Sequence, residues 1–281
     1  MTTKKYICLF ITCFIVWGLC NYKLYHIPTK SMENTLFPGD YIVVKRIKHS
    51  KAGFFNKPML KSKINRGDIL AFSSRNKKQS KILVKRCIAV PGDTLHFIRD
   101  SILLNGVFQE FPDSAKFLYS IESLSTDKLK ILTDSLNIES IVFNSGRVQI
   151  CSTPNMISFL ISESLIKEAN PVRRSVQNGA FKHQGYSKFI IPTIDDIVTN
   201  DSILLDIYGN TYTKLEESNK TVKNSYYYMM GDNRHVSIDS RFFGVIAESQ
   251  IIGRICIILR PSGDKDRLTL IKKKRAYDHD E

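Results

Sequence analysis

The sequence lacks the residue patterns that mark metal sites and disulfide scaffolds. None of its six cysteines forms a CxxC pair, and its six histidines show no metal-ligand spacing. It also contains no glycine-rich phosphate loop. We therefore expect no metal, no other cofactor and no disulfide framework, and we interpret the cysteines as small buried hydrophobic residues. They are Cys8, Cys13, Cys20, Cys87, Cys151 and Cys256.

Acidic residues are scarce relative to basic ones. Lys and Arg number 41 against 27 Asp and Glu, which leaves a formal net charge of +14. The excess is concentrated between Asp40 and Arg86, where 14 basic residues against 2 acidic ones leave +12. A basic surface of this kind favours an anionic partner such as membrane lipid, but a merely solvated face explains the charge equally well.

Long apolar runs are absent apart from one segment near the amino terminus. Ile7–Cys20 holds 14 residues, whereas a helix needs about 20 to cross a bilayer. Lysines precede and follow it, aromatic residues flank it, and no small-x-small cleavage site comes after it. We predict a single-pass transmembrane helix that anchors residues 1–25, with Lys4 and Lys5 in the cytoplasm and the rest of the chain outside. A removed signal peptide is the alternative.

Short apolar runs separated by Gly-Asp and Pro-Gly-Asp turns predict an antiparallel β protein after residue 40. Asn105-Gly106 lies between two apolar runs, which is the strongest short signal for a hairpin. The predicted strands are Tyr41–Val44, Ile69–Phe72, Ile82–Val90, Thr94–Ile98, Tyr226–Met230 and Ile251–Leu259.

The middle of the chain has helical character as well. Thr153-Pro154 can cap and open a helix, because the apolar residues from Met156 to Ile166 follow the helical period. Leu118–Leu132 is a weaker, serine-rich helical candidate, and Asn200–Tyr208 is a short one.

These patterns predict a mainly β fold with an interrupted core. The core is a two-part antiparallel β-sheet made of residues 26–93 and 225–271. An inserted mixed α/β domain, 94–224, separates the two parts, and a basic, polar tail follows at 272–281.

Three motifs contain residues that strands and turns do not require. The first, 27–40, reads IPTKSMENTLFPGD and carries Ser31 among apolar residues. The second, 83–93, reads LVKRCIAVPGD and places Lys85 in a strongly apolar strand. The third, 230–244, reads MGDNRHVSIDSRFFG and is dense in groups that orient or pair a charge.

Each motif alone has an ordinary structural explanation. Ser31 suits a turn or a cap, and Lys85 suits a partly exposed strand position. The third motif reads as an Asp/Asn turn followed by a solvated Asp239–Arg241 pair. Their joint occurrence in this order favours a catalytic site instead.

Together the motifs closely resemble those of the bacterial type I signal peptidases, the membrane-anchored Ser-Lys endopeptidases of peptidase family S26. The family forms are S-M-x-P-T-L-x-x-G-D, K-R-x-x-G-x-P-G-D and G-D-N-x-x-x-S-x-D-S-R-x-x-G. The resemblance covers about a third of the chain. Lys30, Asn34 and Ala89 depart from the family pattern, but none of these departures removes a reacting group.

The resemblance implies an enzyme that removes signal peptides from exported preproteins at Ala-x-Ala sites. It also implies a place in the inner (cytoplasmic) membrane, with the catalytic part on the outer, periplasmic side. In this role Ser31 attacks the scissile carbonyl and Lys85 takes its proton. The Ser31 backbone N–H and the Thr29 hydroxyl hold the oxyanion.

The resemblance further implies a set of supporting residues. Ser237 orients the Lys85 amine, and Asp239 and Arg241 brace that loop as a pair. The shallow pockets for small substrate side chains are lined by Ile27, Met32, Leu36, Leu83 and Val84.

A lysine base makes a physical demand on the fold. Its ordinary pKa is ~10.4, so action near pH 7 requires a fall of roughly 3, which corresponds to about 4 kcal/mol. Burial among the apolar neighbours Leu83, Val84, Cys87 and Ile88 can produce such a fall.

Two other classes of protein compete with this interpretation. One is a catalytically silent, membrane-anchored scaffold or binding protein with the same fold, which an intact Ser31 and Lys85 disfavour. The other is a Ser-Lys self-cleaving repressor. No helix-turn-helix segment precedes the serine, so we expect no nucleic-acid partner. The oligomeric state is left open.

Overall fold

The computed structural model describes residues 6, 20–47, 63–74, 81–98, 101–123, 131, 133–136, 138–142, 148–172, 188–191, 193, 197–198, 220–221, 225–261 and 268–271. The predicted anchor segment Ile7–Cys20, apart from Cys20, and the tail 272–281 lie outside these ranges. Within them, no helix combines the length and the apolar character that a membrane crossing requires.

The described residues are mostly strands. The strands are β1 (Tyr22–His26), β2 (Tyr41–Arg46), β3 (Ile69–Ser74), β4 (Lys81–Ala89), β5 (Thr94–Ile98), β6 (Ser101–Leu104), β7 (Val107–Phe108), β8 (Phe117–Ser123), β9 (Glu139–Val142), β10 (Val148–Ser152), β11 (Ile166–Pro171), β12 (Lys188–Ile190), β13 (Ile197–Val198), β14 (Lys220–Thr221), β15 (Tyr226–Met230), β16 (Ile246–Ala247), β17 (Ile251–Leu259) and β18 (Leu268–Leu270). Two α-helices have described bounds, α1 (Pro154–Ser162) and α2 (Ser240–Phe243), and the described residues 6, 20–21, 131 and 133–135 are helical as well.

An eight-stranded sheet forms the main layer. Its strand order is β1-β2-β17-β3-β4-β15-β16, with β18 also paired to β17. All of its pairings are antiparallel. Its strands come from 22–89 and 226–270, so the two parts of the chain that carry the motifs meet in one sheet. The mainly β, antiparallel prediction is confirmed, whereas the domain boundaries remain a prediction.

Both faces of this sheet are covered by apolar side chains. In β3, Leu70 and Phe72 belong to a cluster on one face, whereas Ile69 and Ala71 belong to a cluster on the other. Successive strand residues point to opposite faces, so a run of apolar residues fits a strand that is buried on both sides. This explains why ILAF is uninterrupted by polar residues and why all four are buried.

Smaller sheets hold the middle of the chain. One has the order β12-β5-β6-β7, another β11-β8-β10-β9, and β13 pairs with β14. The predicted hairpin at Asn105-Gly106 is confirmed. Leu104 pairs with Val107, and the two turn residues have φ of 54° and 86°. Positive φ at both central positions is what a tight hairpin turn requires.

The helical predictions have mixed outcomes. The helix α1 begins after Thr153, whose hydroxyl accepts from the Met156 amide at 3.3 Å. It is shorter than the apolar period suggested, because Ser164 takes a left-handed φ of 55° and Ile166 already belongs to β11.

The helix predicted over Leu118–Leu132 is wrong in its first part, which forms β8. This strand lies between β10 and β11 and pairs with both. Two ladders of hydrogen bonds outweigh the weak helix preference of a serine-rich segment. The short helix predicted at Asn200–Tyr208 lies outside the described residues.

Candidate functional site

The hydroxyl of Ser31 and the amine of Lys85 meet at the sheet. Ser31 lies in a single 3-10 turn, Lys30–Met32, which follows β1. Lys85 lies in the middle of β4 and pairs with Leu70 of β3. The Lys85 Nζ donates to the Ser31 Oγ at 2.5 Å. A local turn and a central strand thus bring the two predicted reacting groups into direct contact.

Burial sets the protonation of Lys85. Its side chain is 3% exposed, and Leu83 and Cys87, two residues away in the same strand, pack into one apolar cluster. Desolvation lowers the pKa of Lys85 from 10.5 to about 8, with Asp239 and Asp232 opposing the fall and Arg241 adding to it. Half of the amine is therefore neutral near pH 8, well below the pH at which an ordinary lysine loses its proton.

The third motif packs directly against the serine through Gly231. A Cβ built on this glycine would overlap the Ser237 Oγ and would lie 2.5 Å from the Ser31 carbonyl oxygen. The next contact is a backbone hydrogen bond from the Asn233 amide to the same Ser31 carbonyl, at 3.2 Å. Only a residue without a side chain lets Ser237, which is fully buried, lie this close to the Ser31 loop.

Asp239 and Arg241 form a two-pronged ion pair behind Ser237. The Arg241 Nε and Nη2 donate to the two carboxylate oxygens at 2.8 and 2.9 Å, and the Gly231 amide donates to Asp239 at 3.0 Å. Burial alone would raise the pKa of Asp239, but the Arg241 charge and these hydrogen bonds lower it. The pair therefore holds the loop that carries Ser237 to the strand end that carries Gly231.

A second two-pronged ion pair, between Arg86 and Asp232, links all three motifs, and no role was predicted for these two residues. The Arg86 Nε and Nη2 donate to Asp232 at 2.8 and 2.6 Å, and the Thr35 hydroxyl donates to Asp232 at 2.5 Å. Asp232 is fully buried; burial would raise its pKa, yet Arg86 and Thr35 lower it. The sequence signal that could have predicted this pair was the second cation, Arg86, next to Lys85 in an apolar strand, together with Asp232 after Gly231 in the third motif.

Thr29 lies at the exposed mouth of the site. Its Oγ1 is 3.4 Å from the Ser31 Oγ, and the side chain is exposed. The hydroxyl is therefore close enough to reach the oxygen of a carbonyl group that the Ser31 Oγ attacks.

The predicted pocket residues fall into two groups. Ile27, Met32 and Leu36 are 5%, 1% and 0% exposed and share one apolar cluster, against which Val84 packs. Leu83 packs into the cluster on the other face of the sheet. Alternation along β4 explains the split, since Leu83 and Val84 are neighbours in one strand.

A family model described as "Signal peptidase, peptidase S26" matches residues 2–148 and 172–259. The chain belongs to this family. It is therefore a serine endopeptidase of the signal peptidase type.

Individual relatives agree with the family model. Signal peptidase I of Buchnera aphidicola subsp. Schizaphis graminum is 28% identical over 259 residues, which cover 88% of this chain and 71% of the relative. Signal peptidase I of Aquifex aeolicus is 26% identical over 269 residues, covering 91% and 83%. A solved structure of a signal peptidase I from Enterococcus faecalis matches with a TM-score of 0.30 and 18% identity, covering 69% of this chain and 97% of that one.

The contact at Gly231 generates the first prediction for this peptidase. Gly231→Ala should lower kcat/KM by at least ~100-fold, because the methyl group must displace Ser31 or Ser237 and small misplacements of reacting groups are costly. Cleavage of a preprotein measures the effect. Gly106→Ala in the distant hairpin is the control, because its Cβ meets nothing within 4 Å. Its positive φ should cost about 1 kcal/mol of stability without changing kcat/KM. Normal activity of Gly231→Ala would contradict the packing described.

The buried amine generates the second prediction. With a pKa of about 8 in place of 10.5, Lys85 destabilises the folded state by about 3 kcal/mol below pH 8, because the unfolded chain binds the proton more tightly. This cost fades as the pH rises and ends above pH 10.5. At low pH, Lys85→Met should therefore unfold with a larger free energy, relative to the native chain, than at high pH. This difference should fall by about 3 kcal/mol between pH 8 and pH 10.5, as measured by urea denaturation. A difference independent of pH would argue against the lowered pKa.

Proposed function

We propose that this peptidase removes the signal peptides of exported preproteins with Ser31 as nucleophile and Lys85 as general base. The observation that carries the proposal is the 2.5 Å hydrogen bond between the two groups, with the lysine almost wholly buried. A buried amine with a lowered pKa, directly bonded to a hydroxyl, is what activation of a serine needs. The same contact disfavours a catalytically silent scaffold.

The first half of the reaction forms an acyl-enzyme. Neutral Lys85 accepts the Ser31 proton while the Ser31 Oγ bonds to the scissile carbonyl carbon. The resulting ammonium then donates that proton to the leaving amine, and the C–N bond breaks. With a pKa of about 8, about a tenth of the enzyme holds the neutral amine at pH 7.

The second half returns the enzyme to its starting state. Lys85, neutral again, takes a proton from a water that attacks the ester carbonyl. The ester C–O bond breaks, and the Ser31 Oγ recovers a proton from the Lys85 ammonium. The Ser31 backbone N–H and the Thr29 hydroxyl stabilise the oxyanion in both halves, which the 3.4 Å approach of Thr29 to the Ser31 Oγ supports.

Substrate choice follows from the apolar cluster beside the serine. Ile27, Met32 and Leu36 are packed and nearly inaccessible, and Val84 lies at their border. We infer that a cluster this full leaves room beside it for a methyl group but not for a larger side chain. Leu83, the residue before Val84 in β4, packs on the other face of the sheet, so its part in the pockets stays a prediction. The small room beside the cluster favours cleavage after Ala-x-Ala.

The proposed location is the cytoplasmic membrane, with the apolar segment Ile7–Cys20 as a single-pass anchor and the catalytic part outside. The predicted anchor range 1–25 extends too far, because residues 22–25 belong to β1, which pairs with β2. β1 begins at Tyr22, directly after the apolar segment, and the 3-10 turn with Ser31 follows within the same short stretch. Eleven residues from Cys20 to Ser31 span at most ~40 Å. The serine therefore works near the bilayer surface, where a signal peptide held in the same membrane presents its cleavage site, and the basic stretch from Asp40 to Arg86 can contact anionic lipid.

Two substitutions and a pH profile test the proposed mechanism. Ser31→Ala and Lys85→Met should each abolish cleavage of a preprotein, as followed by intact mass. In the native enzyme kcat/KM should rise about tenfold per pH unit below pH 8 and level off above it, because only the neutral amine acts. Trimming that continues in Lys85→Met would remove lysine as the base.

A further inference from the structure

The loop after the nucleophile has an unusual backbone at Asn34. Asn34 has a φ of 75°, and it stands where the family motif has proline. Proline fixes φ near about −65°, so this loop cannot use the rigidity that a proline supplies. It also continues directly from the 3-10 turn that holds Ser31. Some other contact must keep the loop in one position if Ser31 is to stay bonded to Lys85.

The side chains of the loop provide such contacts. The Glu33 carboxylate accepts from the Lys116 Nζ at 3.1 Å and from the Asn233 Nδ2 at 3.2 Å. The Asn34 Nδ2 donates to the Ser114 carbonyl at 3.3 Å. Glu33 and Lys116 each expose only 13% of their side chains. Shielding from water makes this ion pair stronger than the usual surface pair, which contributes little.

The partners of the loop are themselves fixed to the third motif. The Lys116 amide donates to the Asp232 carbonyl at 2.9 Å, and the Arg234 amide donates to the Lys116 carbonyl at 2.8 Å. The Ser114 hydroxyl adds a bond to the Asp232 carboxylate at 3.2 Å. Segment 114–116 is therefore attached to the third motif, and Lys116 pairs with Asn233 in a parallel β-bridge.

These bonds close a ring around the nucleophile. The Asn233 amide holds the Ser31 carbonyl, while its side chain and Lys116 hold Glu33, two residues further on. The Ser31 backbone cannot shift away from Lys85 without stretching at least one of these contacts. Because Lys116 precedes β8, a part of the chain that matched no motif contributes directly to the position of the serine.

We propose that Glu33 and Lys116 are positioning residues for the peptidase reaction and act as a clamp that holds the Ser31 loop against Lys85. The proposal rests on the role of Ser31 and Lys85 given above. Neither residue of the clamp touches the reacting atoms, so its loss lowers the rate of the chemical step and leaves substrate binding nearly unchanged.

Shape-preserving substitutions test the clamp. Lys116→Met removes the ammonium and keeps the stem, and Glu33→Gln removes the charge and keeps an acceptor. Each should lower kcat about tenfold or more with KM changed less than about twofold, since loss of alignment acts on the chemical step. The double variant should lose no more than the worse single variant, and Lys116→Arg should keep kcat within about twofold of the native enzyme.

Controls separate the clamp from other effects. Lys167→Ala breaks an exposed ion pair with Glu122, whose side chains are 63% and 64% exposed, and it should leave kcat and KM unchanged. Ser31→Ala must be inactive; residual cleavage by it would defeat the proposed mechanism rather than the clamp.

Several outcomes would overturn the clamp. They are an unchanged kcat in Lys116→Met, an effect on KM alone, multiplied losses in the double variant, or an equal loss in Lys116→Arg. A Lys116→Met chain that has lost its cooperative thermal transition would also overturn it, because the residue would then be structural only.

Discussion

The proposed chemistry depends on the burial of the Lys85 amine. Lys85 lies in a central strand, almost without exposure, and its amine donates a hydrogen bond to Ser31. An ammonium in such a place is costly, which is why its pKa falls to about 8. The fold must supply the stability that this arrangement removes, and the apolar clusters on both faces of the eight-stranded sheet are its main source. The site is thus a local loss of stability inside a well-packed sheet.

The charges around the amine are arranged in pairs. Asp232 and Asp239 are both fully buried and both act to raise the pKa of Lys85. Each is held by a two-pronged arginine contact, Arg86 for Asp232 and Arg241 for Asp239. Arg241 also lowers the pKa of Lys85 directly, because a like charge disfavours the ammonium. Arg241 therefore supports the base electrostatically, and both arginines join the motifs mechanically.

Much of the fold and the site is readable from the sequence because local rules govern those parts. Strands β2, β3 and β5, the Asn105-Gly106 turn and the Thr153 cap follow from alternation, positive φ and capping. The β8 strand was mistaken for a helix because its two neighbours, β10 and β11, are distant in sequence. The Lys116–Glu33 and Arg86–Asp232 contacts were missed for the same reason. The partners are separated by 83 and by 146 positions in the sequence, and they meet only in the folded protein.

The central claim is that the Lys85 amine is neutral at moderately alkaline pH in the folded enzyme. NMR titration of lysine labelled with ¹³C at Cε, with the Lys85 signal assigned by its loss in Lys85→Met, measures this directly. We predict a midpoint near pH 8 for this signal, well below the ~10.4 of an unperturbed lysine. A midpoint of ~10.4 or higher for the Lys85 signal would contradict a lowered pKa.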